Sequence, residues 1–189
     1  MQLKKIVIIG PESTGKSTLC TQLAEHYKTQ WVREYAREYL LKYGTNYKYE
    51  DLYTIALGQL KGEEDIIKKL QRPKPSTLNF LPSTLNPKPL FIDTDLQVIK
   101  VWSEFVFNKC DNRILTLIAN RQYDLYLLCN TDLPWVKDEL REYPDLETRE
   151  KLYYYYKETM INQPVPWVEI SGNYEERLQK AIDAVKGLM

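Results

Sequence analysis

Residues 6–20 read IVIIGPESTGKSTLC, and no other stretch of the chain limits its fold so tightly. Four consecutive branched apolar residues suit a strand with both faces covered, which means a sheet sandwiched between helices. Gly10 and Gly15 bracket a short polar loop, and Lys16 and Ser17 complete the pattern G-x-x-x-x-G-K-[ST]. Glycine at these places lets successive backbone amides turn toward one point, an arrangement that holds phosphate oxygens. A helix starting at Lys16 adds its free first-turn N–H groups and the positive end of its dipole beneath them. Lys16 would reach the β- and γ-phosphates, and the Ser17 hydroxyl would ligate Mg²⁺. Gly10, Glu12, Ser13, Thr14, Gly15, Lys16, Ser17 and Thr18 are thus expected to cradle a nucleoside triphosphate.

Strand and helix signals alternate through the rest of the chain, so the expected architecture is α/β, a parallel sheet with helices on both faces. Strands are expected at residues 5–9, 30–33, 90–92, 125–129 and 167–170. Helices are expected at 16 to about 27, 36–43, 51 to about 70, 96–107, 113–121 and 174–186, in one domain over 1–189. Residues 72–89 hold five prolines and two copies of Pro-Ser-Thr-Leu-Asn. They read as a proline-rich inserted loop, since two copies are too few for a solenoid. Residues 130–144 follow the fourth strand, where α/β proteins place ligand contacts, and form a candidate lid. Tyr153 to Tyr156 would occupy every face of a helix, so packing explains them better than ligand contact does.

The 26 basic and 26 acidic side chains cancel, which argues against general affinity for nucleic acid or an acidic membrane surface. A local basic pocket is compatible with that balance. Cys20, Cys110 and Cys129 show no metal-ligand spacing and are too few and uneven for a disulfide framework. No apolar run approaches the roughly 18 residues of a membrane span. The first strand starts by residue 5, leaving no room for a signal peptide, and a reducing cytoplasm is the expected compartment. The oligomeric state, a homo-oligomer included, is left open.

The loop alone does not name a reaction. Guanine-specific proteins usually show Asn-Lys-x-Asp after strand four; here Asn130-Thr131-Asp132 lacks the lysine and brings the aspartate one place early. ATP is therefore the expected nucleotide. Mechanical ATPases usually end a strand in Asp-Glu, whereas this chain has LFIDTD, ending in Asp93-Thr94-Asp95. Two carboxylates at a strand tip suit Mg²⁺ coordination by Asp93 and a contact from Asp95 to an acceptor hydroxyl; helix capping is the competing reading for either. In WVREYAREY, Glu34 would stand at the tip of strand two as a proton acceptor, with Arg33, Tyr35 and Arg37 around the substrate. Lys137 and Arg141 would share a face of a helical lid and close over the transferring phosphoryl group. In ISGNYEERL, Tyr174 and Arg177 would flank the adenine ring.

IIGPESTGKSTL, REYAREYL, YTIALGQ, FIDTD and LYLLCNTDLPWVKDELR together resemble the ribosylnicotinamide kinase domain of NadR-type NAD-salvage proteins. The similarity spans nearly the whole chain except residues 72–89. It implies a three-layer P-loop kinase fold with strand order 2-3-1-4-5 and transfer of the ATP γ-phosphoryl to the 5′-hydroxyl of nicotinamide riboside. Carried over, Lys16 and Ser17 serve phosphate and Mg²⁺, Asp93 and Asp95 the metal and ribose side, and Arg141 the lid. Thr131, Trp135 and Asp138 match the lid-hinge string on the substrate side. NadR-type proteins place an adenylyltransferase domain ahead of the kinase, while this chain opens on the kinase strand and is expected not to complete NAD synthesis alone. Where the family has an aromatic residue before Glu-Tyr, this sequence has Arg33, and a guanidinium repels a cationic nicotinamide ring. Two other readings stay open: a kinase for another nucleoside or small metabolite, and a nucleotide-binding regulatory ATPase.

Overall fold

The structure, a computed structural model, describes residues 3–71 and 88–189. Five parallel strands lie in the order β2-β3-β1-β4-β5: β1 (Lys5–Ile9), β2 (Trp31–Val32), β3 (Leu90–Asp93), β4 (Leu125–Cys129) and β5 (Trp167–Ile170). The helices are α1 (Lys16–Tyr27), α2 (Tyr35–Tyr43), α3 (Asp51–Gln71), α4 (Leu96–Phe107), α5 (Asn112–Ala119), α6 (Leu146–Ile161) and α7 (Tyr174–Leu188). The expected fold class and strand order are thus the observed ones.

Alternation along β1 builds the two inner layers, because successive side chains of a strand point to opposite faces. Ile6 and Ile8 pack with Leu19 and Leu23 of α1 and Ile182 and Val185 of α7. Val7 and Ile9 pack on the other face with Val101 of α4 and Leu152, Tyr156 and Met160 of α6. A third cluster joins α3, α4 and α5 through Leu52, Ile55, Leu96, Ile99 and Ile114. Register brings Ile8 beside Asp93 and Ile9 beside Leu128, so the C-terminal ends of the central strands open on one edge of the sheet.

The differences from expectation have local causes. Strand two is only Trp31–Val32, because Arg33 and Glu34 leave the sheet and Glu34 takes the position before the first turn of α2. Helix α5 starts at Asn112, with the Asp111 carboxylate accepting from the Arg113 amide. Helix α6 had no boundaries in the sequence reading. Its buried face is Arg149, Leu152, Tyr153, Tyr156 and Met160, an arginine and two tyrosines among two aliphatics, so its apolar stripe is masked. Tyr153 and Tyr156 are indeed buried, while Tyr154 and Tyr155 face solvent. Cys20 and Cys129 are buried free thiols. Among the described residues no helix is long and apolar enough to cross a membrane. The proline-rich loop at 72–89 falls outside them but for Lys88 and Pro89.

Glu63 of α3 is fully buried; Oε1 accepts from the Tyr123 hydroxyl at 3.0 Å and Oε2 has no partner. Burial pushes its carboxyl up to about 7, opposed by Tyr123 and the cations of Arg121 and Lys5 and reinforced by Asp95. A carboxyl whose folded value lies above its unfolded one binds its proton more tightly in the folded state. It therefore costs stability as pH rises from about 4.5 to about 7. Glu63→Gln is expected to remove this component, worth roughly 3 kcal/mol at pH 8 and under about 1 kcal/mol at pH 5. Urea unfolding of both proteins at the two pH values measures it, and an unchanged difference would count against the assignment.

Candidate active site

The loop between β1 and α1 needs its glycines. Gly10 has φ 138°, and a Cβ there would stand 2.6 Å from the Cys129 carbonyl oxygen. Gly15 has φ 77° and precedes α1, whose start is capped by no side chain, so its first-turn amides remain for an anion. Ser13 also adopts positive φ, 57°. The Thr14 hydroxyl and the Lys16 ammonium each donate to the Pro11 carbonyl at 2.7 Å, which holds Lys16 folded across the loop.

Asp93 ends β3 beside this helix start. The Ser17 hydroxyl donates to Oδ2 at 2.5 Å, while Oδ1 is buried without a partner. Burial, and then the charge of Glu34, hold its carboxyl above the usual range, against the pull of Lys16 and Ser17. A hydroxyl and an unpartnered carboxylate oxygen at the mouth of an anion-binding loop are hard oxygen donors that fit Mg²⁺. Asp95 does not join them. Its side chain accepts from the Gln97 amide at 3.0 Å, capping α4, and from the Tyr126 hydroxyl at 2.7 Å, and it lines a separate cavity of about 230 Å³. The turn is made at Thr94, with φ 63°, which swings the chain after Asp93 away from the loop. The expected Asp93–Asp95 pair is thus corrected: only Asp93 faces the cavity beside the loop.

Between the loop and α2 lies a cavity of about 590 Å³. Lys16, Ser17 and Asp93 line it, with Arg33 and Glu34 from the β2–α2 connection, Arg37 from α2, and Asp138 and Arg141 from the segment after β4. Trp31, Trp102, Phe105 and Tyr156 give it an apolar wall. A lining that combines charged groups with aromatic rings suits a ligand with a charged and a flat part. Tyr35 is not among its lining residues. Its ring packs on α3, where a Cβ on Gly58 would stand 2.0 Å from it.

Residues 130–144 form no helix, so Lys137 and Arg141 share no helical face. The segment is held down instead by the phosphate loop. Glu12 accepts from the amides of Glu142 at 3.0 Å and Tyr143 at 2.6 Å, and Ser13 Oγ accepts from the Val136 amide at 2.9 Å and from Arg141 at 3.3 Å. Its far side is tied to α2, where Arg37 grips Asp138 through two bonds of 3.1 and 2.9 Å. Thr131 and Trp135 lie outside the cavity lining; Thr131 is buried beside Asn130, which accepts from its amide.

Tyr174 and Arg177 flank the loop from behind. Arg177 is 3% exposed and donates to the carbonyls of Thr14, Asn130 and Gly172 and to Asp132. Buried among these acceptors, its guanidinium braces the loop and does not line the cavity. Tyr174 is 47% exposed, its ring near Gly15. Sequence reasoning missed Arg149, buried on α6, which donates toward the carbonyls of Ser13 and Leu133. It also missed the aromatic wall from α4 and α6; the 3.6-residue spacing of Val98, Trp102 and Phe105 was the available signal.

The AAA_28 family, described as an AAA domain, matches residues 5–177. The trifunctional NAD biosynthesis/regulator protein NadR of Salmonella typhimurium strain LT2 is 26% identical over 192 residues, covering 99% of this chain and 43% of that protein. Its Escherichia coli K12 counterpart is 24% identical with the same coverage. The chain thus spans less than half the length of these curated relatives. Among solved structures, a NadR protein in complex with NR gives a TM-score of 0.76 at 23% identity, over 98% of this chain and 49% of that one. A NadR protein in complex with NAD and AMP-PNP gives 0.70 at 22%, with the same coverage. Thymidylate kinase from Ehrlichia chaffeensis gives 0.65 at 15%, over the full length of both chains. The resemblance read from the motifs is borne out, and the fold is that of P-loop kinases.

Proposed function

We propose, from the premise that this chain belongs to the AAA_28 family of AAA domains, that it is an ATP-dependent kinase that phosphorylates the 5′-hydroxyl of a nucleoside, foremost nicotinamide riboside, to give the mononucleotide. The observation that carries this reading is one cavity lined by both the unpartnered carboxylate of Asp93 and the separate carboxylate of Glu34, together with Lys16 of the phosphate loop. A nucleotide-binding regulator has no need for the second carboxylate or for an aromatic wall opposite the phosphates.

In this mechanism the loop amides and Lys16 hold the β- and γ-phosphates, with Gly10, Thr14, Gly15 and Thr18 shaping the cradle. Ser17 and Asp93 would hold Mg²⁺, which neutralises charge on the transferring phosphoryl group. Glu34 accepts the proton of the attacking hydroxyl, the role left to it once Asp95 is committed to capping α4. Arg33 and Arg37 bind the acceptor side, Arg37 also steering the lid through Asp138. Residues 130–144 act as the lid, with Arg141 over the phosphates. Glu12 and Ser13 latch it to the donor loop and Arg37 latches it to the acceptor helix, so closure shields the donor from water.

Support for nicotinamide riboside comes from the resemblance and from the relatives crystallised with NR and with AMP-PNP. One observation favours a second reading, a nucleoside with a neutral base: the Arg33 guanidinium lies over the Trp31 ring, 5.7 Å from its centre, inside the acceptor wall. A panel of nucleosides incubated with ATP and Mg²⁺, with the phosphorylated product identified by mass spectrometry, decides among them. Nicotinamide riboside should be phosphorylated fastest. A neutral nucleoside preferred tenfold or more would move the substrate to the second reading, and ATP consumption indifferent to every acceptor would end the kinase reading.

A further inference from the structure

We infer that Gln59 is a positioning residue that sets the spacing between Glu34 and Asp93, the two carboxylates on opposite sides of the reacting groups; this rests on the kinase reading above. Gln59 lies on α3, outside the cavity lining, and is 2% exposed. Its Oε1 accepts from the Tyr35 amide at 2.8 Å, the residue immediately after Glu34. Its Nε2 donates to the Thr94 carbonyl at 3.0 Å and, at 3.5 Å, to that of Asp93 itself. The partners fix the orientation of the amide, since only its oxygen can take an N–H and only its nitrogen can serve two carbonyls. One side chain therefore spans the start of α2 and the tip of β3.

Two neighbouring features make the bridge specific. Gly58 lets α3 approach α2 so closely that any Cβ there would collide with the Tyr35 ring, and this contact brings Gln59 within reach of both elements. Thr94 holds a left-handed backbone, φ 63°, which is strained for a non-glycine residue and persists only when its surroundings enforce it. The bond from Gln59 to its carbonyl and the bond from its amide to Ile8 are such constraints. Without Gln59 the tip of β3 and the start of α2 keep the β2–β3 pairing that ends at Val32 and Ile92 and lose the link beyond it. A misplacement of about 1 Å at reacting groups is enough to slow transfer a hundredfold. Among the described residues the Gln59 side chain makes no hydrogen bond to the phosphate loop, so nucleotide binding should be spared.

The test uses the full chain with Gln59→Met, which keeps the volume and removes both donor and acceptor, and Gln59→Glu, whose carboxyl can donate to Thr94 only when protonated. Gln59→Met is expected to lower kcat ten- to a hundredfold, raise the acceptor KM, and leave AMP-PNP affinity within twofold. Gln59→Glu is expected to regain activity relative to wild type as pH falls from 8 to 6, whereas Gln59→Met is not. Hydrogen exchange read without any acceptor should show faster exchange at residues 33–37 and 93–96 together, with α1 unchanged. Wild-type kcat in a folded Gln59→Met protein would overturn the inference. So would unchanged exchange in those segments, or a parallel loss of AMP-PNP affinity and global stability, which marks a general packing role. If wild type phosphorylates no acceptor, the kinase reading falls by itself, and the exchange experiment still decides whether Gln59 links the two segments.

Discussion

Asp93→Asn is expected to lower phosphoryl transfer by about a thousandfold while leaving the protein as stable as wild type or more so. The two halves of this expectation have different origins. A metal-held carboxylate next to a transferring phosphoryl group contributes several kcal/mol of charge stabilisation, and about 4 kcal/mol is a thousandfold in rate. With no cation beside it, the same carboxylate is a cost to the folded protein. It is 1% exposed, one oxygen has no partner, and burial resists its ionisation. Asparagine keeps the shape and the acceptor for Ser17 and removes the buried charge. Thermal unfolding without nucleotide should therefore move up or stay level while product formation collapses. Retained transfer in a folded Asp93→Asn protein would remove Asp93 from the metal side of the proposal.

Lys16→Ala is the second large effect. The ammonium is the cation of this loop, already held across it by the Pro11 carbonyl at 2.7 Å and so placed near where phosphates would lie. Loss of one preorganised donor to developing charge costs about a hundred- to a thousandfold in rate, and ATP affinity should fall with it. The fold should tolerate the change, since alanine is the best helix former and Lys16 is the first residue of α1. Lys16→Arg should not restore activity, because a planar five-donor fork does not replace a compact ammonium in a closed backbone ring. Nucleotide titration and a coupled ADP assay on the same preparations separate binding from turnover. Wild-type turnover in Lys16→Ala would contradict the phosphate role.

What could be read in advance was what local chemistry decides. Between Gly10 and Ser17 every requirement falls within eight consecutive residues: two positive-φ glycines, a lysine at the helix start and a hydroxyl. Those requirements are met by residue types adjacent in the chain, although Gly10 also packs against the Cys129 carbonyl. The alternation of apolar strands with helices likewise carried the fold class. The strand edges were less legible, and α6 least, because its buried stripe includes Arg149 and two tyrosines.

The site beyond the loop was partly misjudged for one recurring reason. Asp93 and Asp95 look equivalent in sequence, since residues two apart in a strand share a face. A single left-handed residue, Thr94, separates them and sends Asp95 to Tyr126 and Gln97. Lys137 and Arg141 look like one helical face, yet their segment is irregular and held by side chains about 130 residues earlier in the chain. Arg177 looks like a base contact, yet three backbone carbonyls and Asp132 occupy it. By itself the chain's order of residues dictated a parallel α/β sheet and a phosphate-holding loop, because both follow from φ, ψ and spacing within a few residues. The tertiary structure alone decided which carboxylates face that loop, what anchors the segment after β4 and how α2 is tied to β3. Those outcomes depend on hydrogen bonds between groups far apart in the chain, whose partners no local pattern specifies.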